Sequence, residues 1–238
     1  LVSYTENGGK LIIRGSSIKN SVFGIEYLGK STVDVSYIRP LYKTDLESPC
    51  LLYDGAHVVR SDLKMVAGLE EPLFNRTYGH FCGHKNTPNT GEIAIYPALL
   101  EGKNVIYYAH EIFREYAKTG AYWTRKYIEY ALNKFCAKRK LKVDGLMSIG
   151  RARIRENLDK KFYSLNLFYC PPVRRGNVTV LEDFPEIDNV LVSYKTEKAI
   201  KDVVMMPQRK KVDFIYKDGK VEFKANVKNG HQLYVIKY

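Results

Sequence analysis

Two histidines and a cysteine lie within five residues of one another in the run His80-Phe81-Cys82-Gly83-His84. Imidazoles and thiolates are the ligands that zinc prefers, and a closed structural zinc site needs four of them. Cys50 or His57 would have to supply the fourth, and the spacing is not that of a standard zinc motif. The alternative is an ordered loop whose polar and aromatic groups line a domain contact, a subunit contact or the mouth of an active site. We favour this second interpretation and assign no metal and no cofactor.

Carboxyl groups are the second candidate for chemistry. Hydrolysis of a glycosidic bond usually needs two of them, about 5 Å apart for retention or roughly 6.5–9.5 Å apart for inversion. The best local candidates are Glu111 and the pair Glu182-Asp183. Neighbouring residues of a strand point to opposite faces, so Glu182 and Asp183 cannot both face one substrate from a regular strand. Glu111 begins a predicted helix, where a carboxylate stabilises the helix dipole. We therefore assign no catalytic residue.

Tyrosine is abundant, with 19 residues in a chain of 238. Sugar-binding modules stack aromatic rings on the apolar faces of pyranoses. Tyr163, Tyr169 and Tyr194 fall in predicted strands and are candidates for such stacking. The alternative is that they are alternating core residues of those strands.

The first half of the chain predicts mixed α and β structure. Residues 1–6 are typical of the end of a helix, and Gly8-Gly9 is a signal that stops a helix. Residues 10–15 are typical of a short buried strand. This order is the second half of a βα unit. Because a parallel strand needs neighbours on both sides, we expect sequence before Leu1. Further strands are predicted at 56–60, 92–96 and 104–108, a long loop at 75–90, and helices interrupted at Gly120 across 109–139.

In the second half of the chain, apolar and polar residues alternate with a period of two, which is typical of β-strands. Seven short strands are predicted, at 162–169, 178–182, 190–194, 202–206, 212–216, 220–224 and 232–237. Asp218-Gly219 predicts a tight hairpin turn, because both residue types accept positive φ angles. The pattern indicates an antiparallel β-sandwich. We place the two domains at 1–139 and 140–238.

Several segments in this order resemble one family of enzymes. They are Tyr4-Thr5-Glu6-Asn7-Gly8-Gly9-Lys10-Leu11-Ile12, Glu70-Glu71-Pro72-Leu73-Phe74-Asn75-Arg76, Tyr96-Pro97-Ala98, Asn104-Val105-Ile106-Tyr107-Tyr108, Pro172-Val173-Arg174-Arg175-Gly176-Asn177-Val178 with Leu181-Glu182-Asp183, and Asn229-Gly230-His231-Gln232. Together they resemble the C-terminal half of bacterial glycoside hydrolases of the β-galactosidase and α-L-fucosidase-like clans.

The resemblance implies a partial three-layer α/β domain of the flavodoxin or glutamine amidotransferase-like fold, the β-galactosidase trimerisation domain, at 1–139. It implies a C-terminal β-sandwich at 140–238 and a catalytic barrel upstream as a partner on the same polypeptide. The expected function is a non-catalytic oligomerisation and structural region, with a homo-oligomer as the assembly. Two alternatives stay open: a carbohydrate-binding accessory module that takes an oligosaccharide, and a small hydrolase that uses the His80–His84 loop. No cysteine has the flanking glycines of an amidotransferase nucleophile.

The net charge and the cysteine content restrict which partners and which cellular compartment we expect for this protein. The net charge is +12, but the basic clusters are dispersed and no nucleic-acid module surrounds them, so we expect no specific nucleic-acid partner. No apolar run approaches the roughly 20 residues of a membrane helix, so we expect no membrane partner. The four cysteines form no CxxC pair, which indicates buried thiols in a reducing compartment. With no signal-peptide pattern at Leu1, we expect a cytoplasmic protein.

Overall fold

The computed structural model describes residues 1–16, 22–41, 46–83, 87–93, 95–137 and 139–238. The chain divides into two compact units, Leu1–Ala137 and Lys138–Tyr238. Each unit has its own hydrophobic core. The division lies close to the boundary that we placed from the change in hydrophobic period.

The described part of the first unit contains three α-helices and eight strands. The helices are α1 (Val2–Glu6), α2 (Ile112–Thr119) and α3 (Tyr122–Phe135). The strands are β1 (Leu11–Arg14), β2 (Ile25–Lys30), β3 (Ser36–Pro40), β4 (Cys50–Leu52), β5 (His57–Ser61), β6 (Lys64–Glu70), β7 (Pro97–Glu101) and β8 (Val105–Tyr108). A single 3-10 turn, Val22–Gly24, precedes β2.

Six of these strands form one sheet in the order β1-β8-β7-β6-β3-β4. Only β1 and β8 are parallel; every other pair in this sheet is antiparallel. The short connection from β7 to β8 explains part of this, because a few residues can join antiparallel strands but a parallel pair needs a long crossover. The expected three-layer, flavodoxin-like arrangement is therefore not confirmed, and the described chain is mostly β.

The strand that we predicted at 92–96 is misplaced. The structure forms β7 from Pro97–Glu101 instead, and Ile95 is largely exposed. We also did not predict β2, β3, β4 and β6, because apolar and polar residues do not clearly alternate in that stretch of the sequence. Four consecutive residues of β7 and all four of β8 are buried, so these strands lack the period-two pattern that marks a half-exposed strand.

The helices pack on this sheet through buried tyrosines. Tyr108 in β8 donates a hydrogen bond to the carbonyl of Tyr127 in α3 at 2.5 Å, and Tyr127 donates to the carbonyl of Ile38 in β3 at 3.2 Å. Gly120 adopts a φ of 62° at the C-cap of α2, as its helix-interrupting position predicts. Tyr127 of α3 is thus a core residue whose hydroxyl group is satisfied by backbone carbonyls.

The second unit is all β. Its strands are β9 (Leu141–Asp144), β10 (Arg151–Asn157), β11 (Phe162–Phe168), β12 (Val173–Arg175), β13 (Val178–Val180), β14 (Ile187–Lys195), β15 (Asp202–Met206), β16 (Lys210–Lys211), β17 (Phe214–Lys217), β18 (Lys220–Val227) and β19 (His231–Lys237). A five-stranded sheet, β10-β11-β19-β15-β16, and a four-stranded sheet, β17-β18-β14-β9, contribute to one core. All their pairs are antiparallel, which is consistent with the predicted β-sandwich.

The Asp-Gly turn forms the predicted hairpin between β17 and β18. Lys217 pairs with Lys220, and the two residues between them have positive φ angles, 50° at Asp218 and 69° at Gly219. These are the angles of the mirror-image turns whose twist matches that of the flanking strands.

Replacing Gly219 with alanine is expected to lower the free energy of unfolding by about 1 kcal/mol, because a Cβ is strained at this positive φ. Denaturant unfolding measures the change. Gly79→Ala is the control, since Gly79 has open space for a Cβ and no positive φ. Equal effects of the two substitutions would contradict the turn assignment.

In the described part of the chain, no helix is both long and apolar enough to cross a membrane.

Candidate functional site

A single buried carboxylate anchors the loop at residues 71–96, which connects β6 to β7. Glu70, the last residue of β6, has a relative exposure of 0%. Arg39 donates to it twice, from Nε to Oε2 at 2.8 Å and from Nη2 to Oε1 at 3.0 Å. This two-pronged geometry is the strong form of an arginine–carboxylate pair.

The same carboxylate also holds the returning end of the loop. Oε1 accepts a hydrogen bond from Asn89 Nδ2 at 2.9 Å and another from the backbone N–H of Gly91 at 2.5 Å. Nearby, Leu73 N–H donates to the carbonyl of Pro88 at 2.9 Å. Glu70 therefore ties both ends of the 71–96 loop to the sheet through β3 and β6.

The tip of the loop is a short turn that presents aromatic side chains. Thr77 N–H donates to the carbonyl of His80 at 2.8 Å, and the Phe74 ring stacks on the His80 ring with centroids 3.7 Å apart. Tyr78 is fully exposed and Phe81 is mostly exposed. Large apolar side chains that are held in water by an anchored loop are typical of a contact surface.

Three of the four candidate loop residues lie in the described part of the loop. His80 and Phe81 lie at the tip, Cys82 is half-buried beside them, and His84 lies outside the described residues. Among the residues that the structure describes, no group of three or more potential ligands is arranged to hold a metal ion.

The two residues that could have completed a zinc site have other surroundings. Cys50 lies in β4, with its sulfur 3.5 Å from the hydroxyl oxygen of Thr124, and burial raises the pKa of its thiol to about 11. His57 lies in β5 against the ring of Tyr27. The four cysteines form no disulfide bond, and only Cys50 is buried, so the interpretation of all four as buried thiols was wrong for the other three.

The three tyrosines proposed for sugar stacking belong to the core of the second unit. The exposed fractions of Tyr163, Tyr169 and Tyr194 are 4%, 2% and 8%. Tyr163 shares a hydrogen bond of 2.9 Å with Thr196, and its ring packs edge-on against that of Tyr194. A ring that is covered on both faces cannot stack on a sugar, so the core interpretation describes these residues.

Two of the three candidate carboxylates form ion pairs with arginines. Glu111 occupies the N-cap of α2, as its position predicted, and forms an ion pair with Arg14 at the end of β1. Glu182 lies 2.6 Å from Arg175 and follows β13 in an irregular segment. The opposite-face reasoning for Glu182 and Asp183 therefore does not apply, because neither residue lies in a strand.

Sequence reasoning missed a buried polar group at the carboxyl ends of the parallel pair β1 and β8. His110, which follows β8, is 1% exposed, and its Nε2 lies 2.7 Å from Ser36 Oγ. Burial, together with the nearby charge of His57, lowers the pKa of His110 to about 3. A single histidine between Ala109 and Glu111 belongs to no motif that could have revealed this arrangement.

The chain was also compared with known proteins. No protein-family model matches the sequence, and no curated protein matches it. Among solved structures, the fold is similar to that of alpha-L-fucosidase isoenzyme 2 from Paenibacillus thiaminolyticus, with a TM-score of 0.89 and 25% sequence identity. This is a fucosidase-like glycoside hydrolase fold. The similarity covers 99% of this chain and 38% of the fucosidase, so the chain spans well under half the length of that enzyme.

The α-L-fucosidase part of the resemblance drawn from the sequence is thus supported at the level of the fold. The chain is therefore similar in fold to a region of a glycoside hydrolase.

Proposed function

We propose that this chain is the non-catalytic oligomerisation and structural region of a glycoside hydrolase. The observation that carries the proposal is the match along 99% of this chain to only 38% of an α-L-fucosidase. In such an enzyme the catalytic carboxyl groups would belong to a barrel on the remaining polypeptide. Residues 1–139 would act as the trimerisation-like domain and residues 140–238 as the closing β-sandwich.

The 71–96 loop is the proposed contact surface with another subunit or with a barrel. Its exposed aromatic side chains, Tyr78 and Phe81, sit on a turn fixed by the buried Glu70 clamp. A preorganised aromatic anchor loses little conformational entropy when it is buried in a partner, which favours association.

Sedimentation of the purified chain tests the oligomerisation role. We expect concentration-dependent self-association, and we expect the double variant Tyr78→Ser/Phe81→Ser to raise the dissociation constant by about tenfold or more, because two aromatic side chains lose their buried area. Ile215→Ser is the control, since Ile215 is an apolar residue of β17 in the other unit and is as exposed as Phe81. A chain that stays monomeric at all concentrations would contradict the proposal.

Turnover of aryl-glycosides separates the proposal from a small hydrolase that uses the His80–His84 loop. We expect no turnover by the purified chain. Turnover that is lost in His80→Ala would instead support that hydrolase.

A further inference from the structure

The positive charge of the protein is concentrated in its second half. Residues 138–238 contain 22 lysines and arginines and 12 aspartates and glutamates, a net charge of +10. Residues 1–137 contain 16 lysines and arginines and 14 aspartates and glutamates, a net charge of +2. A basic surface that only served solubility would not need to be segregated in this way.

The outer face of the five-stranded sheet carries part of this charge. Strand pairing places Arg151, Arg153 and Arg155 of β10 on one face, opposite the face that contributes Leu165, Leu167, Tyr234 and Ile236 to the core. Across the sheet, the same outer face bears His231 and Lys237 of β19 and Lys211 of β16.

Within the described ranges of the chain, these three arginines have no carboxylate partner. Arg151 donates to the backbone carbonyls of Ile149 and Gly150, and no ion pair joins Arg151, Arg153 or Arg155 to any residue that the structure describes. Elsewhere in the unit, arginine finds such partners, as Arg175 does in Glu182.

Among strand residues of this face, the only carboxylate is Asp202 of β15, which lies 3.8 Å from Lys211 at the far edge of the sheet. The edge strand β10 therefore presents three uncompensated guanidinium groups in a row, spaced by about 6.6–6.8 Å along the strand.

Beside this row lies a partly exposed, partly apolar strip. It is formed by Phe162 and Phe168 of β11 and by Leu233 and Val235 of β19. Phe168 is 39% exposed and packs beside His231. Such a strip can contact the apolar C–H face of a sugar ring, while guanidinium groups bind sulfate or carboxylate oxygens in a two-pronged geometry.

We propose that this outer face binds an anionic polysaccharide, with Arg151, Arg153 and Arg155 contacting sulfate or uronate groups that recur along the chain. The choice of a glycan over other polyanions rests on the proposed relation to glycoside hydrolases. A linear ligand suits the geometry because the cationic groups follow one straight strand.

Affinity measurements on the full chain with dextran sulfate, neutral dextran and duplex DNA test this inference. Dextran sulfate is expected to bind and neutral dextran is not, with affinity that falls as salt is added. Polygalacturonate, which carries carboxylates instead of sulfates, separates the recognition of uronate groups from that of sulfate groups. The triple variant Arg151→Gln/Arg153→Gln/Arg155→Gln is expected to weaken dextran sulfate binding about tenfold or more.

The matched control is Lys195→Gln/Lys217→Gln/Lys224→Gln. It removes the same charge from exposed positions on the outer face of the four-stranded sheet. Equal losses in the two triple variants would show attraction to net charge alone and would overturn the inference. DNA binding as tight as dextran sulfate binding, and equally sensitive to the three arginines, would replace the glycan by a nucleic acid and also overturn it.

The outcome is separable from that of the proposed function. An oligomeric chain that does not bind dextran sulfate or polygalacturonate removes this inference and leaves the oligomerisation role. A monomeric chain that binds either polymer through the three arginines removes the oligomerisation role and leaves this inference.

Discussion

Replacing Glu70 with glutamine is expected to lower the free energy of unfolding by about 3 kcal/mol, among the largest effects of any single polar substitution here. The carboxylate is fully buried and accepts hydrogen bonds from Arg39, Asn89 and Gly91. A neutral amide leaves the guanidinium of Arg39 without its counter-charge and places an NH2 donor where a carboxylate oxygen now accepts hydrogen bonds.

The same change is expected to release the 71–96 loop, because Glu70 joins its two ends. Urea unfolding gives the free energy, and limited proteolysis of the folded protein reports cleavage within the loop. Glu71→Gln is the control, since Glu71 is the next residue but is exposed. Unchanged urea midpoint and cleavage rate in Glu70→Gln would show that the clamp is not what holds the loop.

Acidification below pH 6.5 is expected to destabilise the first unit through His110. Burial lowers the pKa of this histidine to about 3, from an ordinary value of 6.5. The unfolded chain therefore binds a proton that the folded chain excludes, and the stability present above pH 6.5 is lost as the pH falls toward 3. At pH 5 the expected loss is about 2 kcal/mol.

Burial also lowers the pKa of His57, so this neighbour adds to the loss in the same direction. The variant His110→Gln keeps a group that can bond to Ser36 but does not titrate. It is expected to be less stable at pH 7 and to lose less stability between pH 7 and pH 5. His231→Gln, at an exposed position, is the control. An acid sensitivity in His110→Gln as steep as that of the parent would rule out His110 as its source.

Where the chain encodes structure locally, sequence reasoning predicted it. Strand β15 was placed at 202–206 and is observed at Asp202–Met206, and the hairpin at Asp218-Gly219 has the expected positive φ angles. Gly120 separates two helices, as predicted. Each of these features depends on residues a few positions apart, so the local pattern was sufficient.

The anchoring of the loop could not be predicted, because its contacts join distant parts of the chain. Glu70 meets Arg39, Asn89 and Gly91 at separations of 31, 19 and 21 residues. Nothing in the sequence around Glu70 marks it as buried. The loop itself was expected at 75–90, and His80 and Phe81 were named within it, but the reason for its order is tertiary.

The sequence by itself determined that the second half is an antiparallel β structure, that a hairpin turn lies at Asp218-Gly219, and which residues alternate along seven of its strands, but it did not predict β9, β10, β12 or β16. Only the tertiary structure decided which of the two alternating sets faces the core. That choice buried Tyr163, Tyr169 and Tyr194 and left Arg151, Arg153 and Arg155 in water. The physical reason is that a side chain is buried only where a second sheet covers its face, and that sheet includes strands far from β10 and β11 in the chain, such as β14 and β18.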